Sequence, residues 1–420
     1  MKLILKGGRV VDPATGRDAA GDVAIADGKI VAAPGGKPDR VIDAQGLVVA
    51  PGLIDLAARL REPGYEYKAT LESEMLAAVA GGVTSLACPP DTDPPLDEPG
   101  LVDMLRRRAK ALARARVYPV GALTVKLEGR QLTEMAELAE AGCVAFSQAD
   151  AAIADTQVLW RALQYAATFG FPVWLRAEDS WLAQGGVAHD GEIATRLGLA
   201  GIPAFAETVA LATLLELVRA TGARVHVCRI SSAAGVAMLR RARHDGLPLT
   251  CDVGVHHVHL SDMDLGYFDA QCRLEPPLRS SRDRDALGAG LADGTIDCIV
   301  SDHTPVDEDR KHLPFAEAEP GASGLELLLP LALKWGVQAK LNLAQTLARV
   351  TIAPARILGV DAGRIAPGAP ADLIVFDPEA PFRVSASALK SQGKNTPFLG
   401  LELAGRVRAT LVDGQVVYEA

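Results

Sequence analysis

Eight short apolar runs between Gly52 and Pro305 constrain this chain more than any other feature. They read "GLIDLAARL", "TSLACPP", "RVYPVGALT", "CVAFSQ", "FPVWLRAE", "ARVHVCRIS", "LPLTCDVGVHH" and "IDCIVSDHTP". Amphipathic helical stretches lie between most of them, such as "AFAETVALATLLELVRATG" and "SSAAGVAMLRRARHDG", the second closing on a glycine. The alternation predicts an α/β fold, a (β/α)8 TIM-like barrel over residues 53–360. A doubly wound open sheet gives the same alternation and is the competing arrangement.

The two ends read differently. "LKGGRVVDPATG", "DVAIADGKIVA" and "VIDAQGLVVAPG" place β-branched residues between Gly, Asp and Pro punctuation, with a turn at Asp27-Gly28. "GRIAPGAPADLIVFDP" and "RVRATLVDGQVVYEA" repeat the pattern at the C-terminus. A small β-sandwich domain built jointly from residues 1–52 and 361–420 is expected.

The formal net charge of −9 argues against a nucleic acid or an anionic membrane as the general partner. The N-terminus turns polar too early for a signal peptide, and no apolar run reaches membrane-spanning length. Six scattered cysteines without a C-x-x-C pair read as reduced thiols, and a cytoplasmic location is expected.

In such a barrel, function collects at the C-terminal ends of the strands. The residues to interrogate are therefore Ala57, Arg59, Asp91, Ser147, Gln148, Arg176, Arg229, His256, His257 and Asp302.

These runs, with "PGLID", "LREPG", "AAVAGGVTSL", "LTEMAELAEAGCVAFS", "RAED", "CRLEPPLRS", "GLELLLP" and "GAPADLIVFDP", resemble the dihydroorotase branch of the amidohydrolase superfamily over nearly the whole chain. The resemblance implies, for an active member, a zinc site at the barrel mouth. Two His of the first strand, a carboxylate or carboxylated Lys of the fourth, one His each of the fifth and sixth, and an Asp of the eighth hold the metal. Zinc activates water and the Asp shuttles its proton.

At those positions this chain carries Ala57 and Arg59, Gln148 followed by Ala149, Arg176, and Arg229; only the Asp remains, as Asp302. Arginine offers donors alone and cannot ligate zinc. A divalent ion about 4 Å from one guanidinium meets a repulsion of roughly 8 kcal/mol at an effective dielectric near 20. No metal, no cofactor and no catalytic residue beyond Asp302 are expected.

Arg61 matches the Arg that grips the substrate carboxylate in the family; pairing with Glu62 or Asp55 is the alternative. Asp91 and Glu275 replace expected Asn residues, and Val306 an expected His. Arg59, Arg61, Arg176 and Arg229 form an anion pocket, or else Arg59, Arg176 and Arg229 make ion pairs with Asp302, Asp55 or Glu178. His256 and His257 read as structural, while His226 and His303 should point away from the mouth.

The resemblance is strongest to inactive pseudo-dihydroorotase subunits that assemble with the aspartate carbamoyltransferase catalytic subunit, which implies a homo- or hetero-oligomer. The alternative is an active dihydroorotase, or another cyclic-amide hydrolase, with a non-standard site around Asp302.

Overall fold

The computed structural model describes residues 2–33 and 35–420. Its first sheet begins with β1 (Lys2–Asp12), β2 (Arg17–Ala26), β3 (Lys29–Val31), β4 (Arg40–Asp43) and β5 (Val48–Pro51). Asp27 and Gly28 close the β2–β3 hairpin with φ of 49° and 78°, the left-handed pair that a tight two-residue turn requires.

Each of the eight apolar runs forms a strand of the second sheet. The first five are β6 (Leu53–Asp55), β7 (Val83–Cys88), β8 (Arg116–Ala122), β9 (Ala145–Ser147) and β10 (Val173–Arg176). A two-stranded ribbon, β11 (Ala188–His189) with β12 (Gly201–Ile202), interrupts the series. It resumes with β13 (Val225–Cys228), β14 (Leu249–Gly254) and β15 (Cys298–Val300). Every pairing from β6 to β15 is parallel and follows chain order. That sequential order excludes the doubly wound arrangement, in which strand order reverses.

The ends of the series meet: Arg59 N donates to His303 O at 2.9 Å and His303 N to Ala57 O at 3.0 Å. These bonds bring the first strand against the last and leave a barrel closed at its mouth. Helices pack outside, among them α1 (Leu71–Ala80) and α2 (Pro99–Leu112). The helix Ala204–Thr221 stops at Gly222, whose φ of 69° suits a residue without a Cβ. The helix Ala233–His244 ends on Asp245 in right-handed geometry, with Gly246 one residue later.

The chain then returns to the first sheet through β16 (Leu373–Arg383), β17 (Glu402–Val412) and β18 (Gln415–Glu419). β16 pairs with β5, so strands from the two termini share one eight-stranded sheet. Leu3, Leu5, Val10, Ile25, Leu373 and Leu411 make its core, separate from the barrel's. Among the described residues no helix is long and apolar enough to cross a membrane.

Candidate functional site

The barrel mouth is filled by charge. Arg59 follows β6, Arg176 ends β10 and Arg229 follows β13, and side-chain exposure is 5% for each. All three reach one carboxylate, Asp150, in the loop after β9. Arg59 Nη2 lies 2.5 Å from Asp150 Oδ2, Arg176 Nε lies 3.0 Å from Oδ1, and Arg229 Nη2 donates to Oδ1.

Other carboxylates complete the ring. Arg59 Nε donates to Asp91 Oδ2 at 2.6 Å. Arg176 meets Glu178 Oε2 at 2.8 Å and donates to Glu275 Oε1 at 3.1 Å. Arg229 Nη1 donates to Asp302 Oδ1 at 3.1 Å, and Arg59 Nη1 stands 3.7 Å from the same atom. Arg176 Nε and Nη1 approach their carboxylates without hydrogen-bond alignment, so those two contacts are charge pairing alone.

Backbone geometry aims these groups. Arg61, Ala149, Arg229 and Asp302 have φ of 63°, 50°, 51° and 48°, a left-handed conformation that breaks the two-residue alternation at four strand ends. The turn at Ala149 carries Asp150 into the mouth, whereas Gln148 turns aside and exchanges hydrogen bonds with Thr124. The loop after β13 is pinned by buried Glu207, which accepts from Ser231 N at 2.8 Å and Ser232 N at 3.0 Å. Arg229 N donates to Asp252 Oδ1 at 2.6 Å.

The carboxylates divide by how many guanidinium groups they meet. Burial raises Asp150, but Arg229, Arg59 and Arg176 override it and hold the carboxyl well below its usual range. Burial pushes Asp302 up to about 6, with Arg229 and Arg59 offsetting only part. Burial likewise raises Glu275 against the pull of Arg176. The arginines pay desolvation too, yet Asp91 and Asp150 hold Arg59 above its ordinary value, and Asp150 and Glu178 do so for Arg176.

Several sequence expectations need correction. Asp55 pairs with no arginine; it accepts from Ser301 N at 2.9 Å and from the Ser301 hydroxyl. Arg61 pairs with neither Glu62 nor Asp55. Its Nε donates to Pro305 O at 2.9 Å and its tip lies 3.9 Å from Glu319, while Glu62 accepts from Leu71 N and forms an ion pair with Arg108. Asp91 and Glu275 act as counterions here. Ala57 is buried among apolar neighbours.

His226 faces the barrel interior, because the left-handed turn at Arg229 falsifies counting back along the strand. Its Nδ1 meets Thr250 Oγ1 and its Nε2 meets Asp252 Oδ2, both at 2.8 Å. His226, Cys228 and Asp252 bring one ligand atom each within 4.8 Å of one another. Both ring nitrogens are engaged and burial holds the Cys228 thiol far above its ordinary value, so the cluster acts as a post beneath Arg229. His303 points away from the mouth to Glu74, at 2.6 Å. Burial lowers His256 to about 3 and His257 to about 4, leaving both neutral; His257 Nε2 contacts Pro276 O at 2.9 Å.

The residues present do not fit a zinc ion. Zinc takes lone pairs from imidazole, thiolate or carboxylate. The carboxylates of this mouth, Asp91, Asp150, Glu178, Glu275 and Asp302, all already hold guanidinium groups. The missing positive charge is supplied by side chains.

Asp150 was absent from the sequence-derived candidates. The signal was the third residue after the fourth strand, in "AFSQAD", one place beyond the positions compared.

Residues 46–234 match the family model described as dihydro-orotase-like. A dihydroorotase-like protein of Pseudomonas aeruginosa is 46% identical over 423 residues, covering 100% of both chains. A dihydroorotase of Geobacter sp. (strain M21) is 42% identical over 426 residues, again covering 100% of both. Among solved structures, an L-hydantoinase from Arthrobacter aurescens superposes with a TM-score of 0.87 at 25% identity, over 99% of this chain and 96% of that one. A dihydropyrimidinase from Brevibacillus agri shares the fold with a TM-score of 0.83 at 22% identity, over 100% and 95%.

Proposed function

The chain belongs to the dihydroorotase-like family, and from that premise we propose that it is a non-catalytic member, a structural partner of the aspartate carbamoyltransferase catalytic subunit in pyrimidine synthesis in the cytoplasm. One observation carries this reading. Arg59, Arg176 and Arg229 converge on Asp150, at or beside positions where the family resemblance implies metal ligands. Amide-ring opening needs an activated hydroxide and an electrophile to polarise the carbonyl. Guanidinium groups locked to carboxylates generate no hydroxide. A scaffold kept intact around such a mouth is suited to assembly.

The relatives' names are mixed, dihydroorotase-like protein for some and dihydroorotase for more, and a second reading follows Asp302. A carboxyl pushed up to about 6 lies near the range of a general base, so a metal-free hydrolase would use Asp302 to activate water. Its Oδ1 is committed to Arg229, and the guanidinium groups beside it are held by carboxylates and not free to polarise a carbonyl, which favours the first reading.

The test is sedimentation of the purified chain with the aspartate carbamoyltransferase catalytic subunit. A single co-sedimenting complex supports the structural role. Two independent boundaries, together with turnover of dihydroorotate by the isolated chain, would support the second reading.

A further inference from the structure

At the end of the barrel opposite the mouth, α2, the turn after it and the first residue of β8 carry Arg106, Arg107, Arg108, Lys110, Arg114 and Arg116 within eleven residues of a chain whose net charge is −9. Arg108 leaves this set to pair with Glu62. The other five line a groove of about 650 Å³ between α2, the start of β8 and the β17–β18 hairpin, whose lining also includes Asp103 and Asp413. Val412 and Val417 contribute apolar surface to it.

Little of this charge is spent internally. Arg116 is tied to Asp372 at 3.0 Å and to Asp413. Arg107 only brushes Asp103 at 3.5 Å, with 81% of its side chain exposed. Arg106 donates to the Ala141 carbonyl, which neutralises nothing. Among the described residues, Lys110 and Arg114 have no carboxylate within ion-pair distance. β18, which forms one wall, is an end strand of its sheet.

We propose that this basic groove is the docking surface for an acidic segment of the partner protein, whose carboxylates meet Arg107, Lys110 and Arg114 while its apolar side chains rest on Val412 and Val417. The inference names the partner-facing surface of the function proposed above and rests on that reading. Charge complementarity selects the occupant. A two-fold contact with a second copy would set this basic groove against itself and not against its complement. A small phosphate ligand would need buried cations aimed at one point, whereas these are spread along an open rim. Such contacts govern encounter rate and specificity and weaken as salt screens them.

The experiment is sedimentation velocity of the full chain with the aspartate carbamoyltransferase catalytic subunit at low and high salt, for the wild type and for R107E/K110E/R114E. Association should weaken with salt, and at low salt the triple variant should bind about tenfold more weakly or worse, with its melting temperature unchanged. Equal binding by wild type and variant at both salts overturns the groove and leaves the proposed function standing. Failure of the wild type to associate overturns the functional reading. The groove is then decided by a fluorescein-labelled peptide of alternating Glu and Val. Binding by the wild type that the variant loses supports it, and equal binding or none overturns it.

Discussion

Arg59 Nη2 lies 2.5 Å from Asp150 Oδ2, which joins the loop after the first barrel strand to the loop after the fourth. Arg176 and Arg229 approach the same carboxylate from the fifth and sixth strands, so Asp150 ties four of the eight strand ends together. Buried charges cost several kcal/mol each to desolvate, and removing one partner exposes the whole cost of the others. Asp150→Ala should therefore destabilise the fold by about 3 kcal/mol, discounted for the third of Asp150 that remains exposed. Chemical denaturation checks this. Asp150→Asn should lose nearly as much, because the amide keeps the shape and loses the charge.

Asp302 behaves in the opposite sense. Its carboxyl is raised to about 6 from an ordinary value near 3.8, so it favours the folded state most when protonated. That contribution is complete below about 4 and is lost as pH rises through about 6. Asp302→Asn mimics the neutral form. It should melt higher than the wild type at pH 8, and the difference should vanish near pH 4. Asp150, held low, works the other way: its stabilisation is present at neutral pH and is lost as pH falls below the ordinary carboxylate range. Melting curves from pH 4 to 8 on wild type and both Asn variants separate the two groups.

The mouth is predicted to be one step from metal binding. Ala57→His, Arg59→His, Arg176→His and Arg229→His together remove the guanidinium groups and leave Asp150 and Asp302 as carboxylate ligands. This fourfold variant should take up about one zinc per chain, and adding Asp150→Ala should weaken its hold on the metal. Zinc held as tightly after the loss of Asp150 would remove it from the mouth's ligand set.

His303 and Glu74 make a buried pair at 2.6 Å that joins α1 to the loop closing the barrel. Glu74 also accepts from Gln392 N at 3.0 Å, reaching the segment before β17. Glu74→Ala should cost about 3 kcal/mol, read as a fall in melting temperature, because it orphans a buried imidazole and a backbone amide. His303→Ala should cost a similar amount, and the double variant less than the sum.

The barrel was legible because each strand is an apolar run bounded by polar or glycine-rich sequence, and the three mouth arginines because they stand where those runs end. Asp150 was not, since its direction depends on the left-handed turn at Ala149, which no residue type there announces. The same conformation at Arg229 reversed the expected side of His226. Arg61's true partner, the Pro305 carbonyl, and the counterion role of Asp91 and Glu275 depend on which loops meet across the mouth, and strand spacing does not encode that. The groove at the far end joins residues some 300 positions apart and becomes visible only once the two sheets are packed.

The central claim is that side-chain cations occupy the place of the metal. Elemental analysis of the purified chain after exposure to zinc, with dihydroorotate and carbamoyl aspartate offered to the same sample, tests it most directly. The account predicts far less than one metal per chain, no zinc-dependent rise in melting temperature and no turnover. One or two tightly held zinc ions with turnover would contradict it.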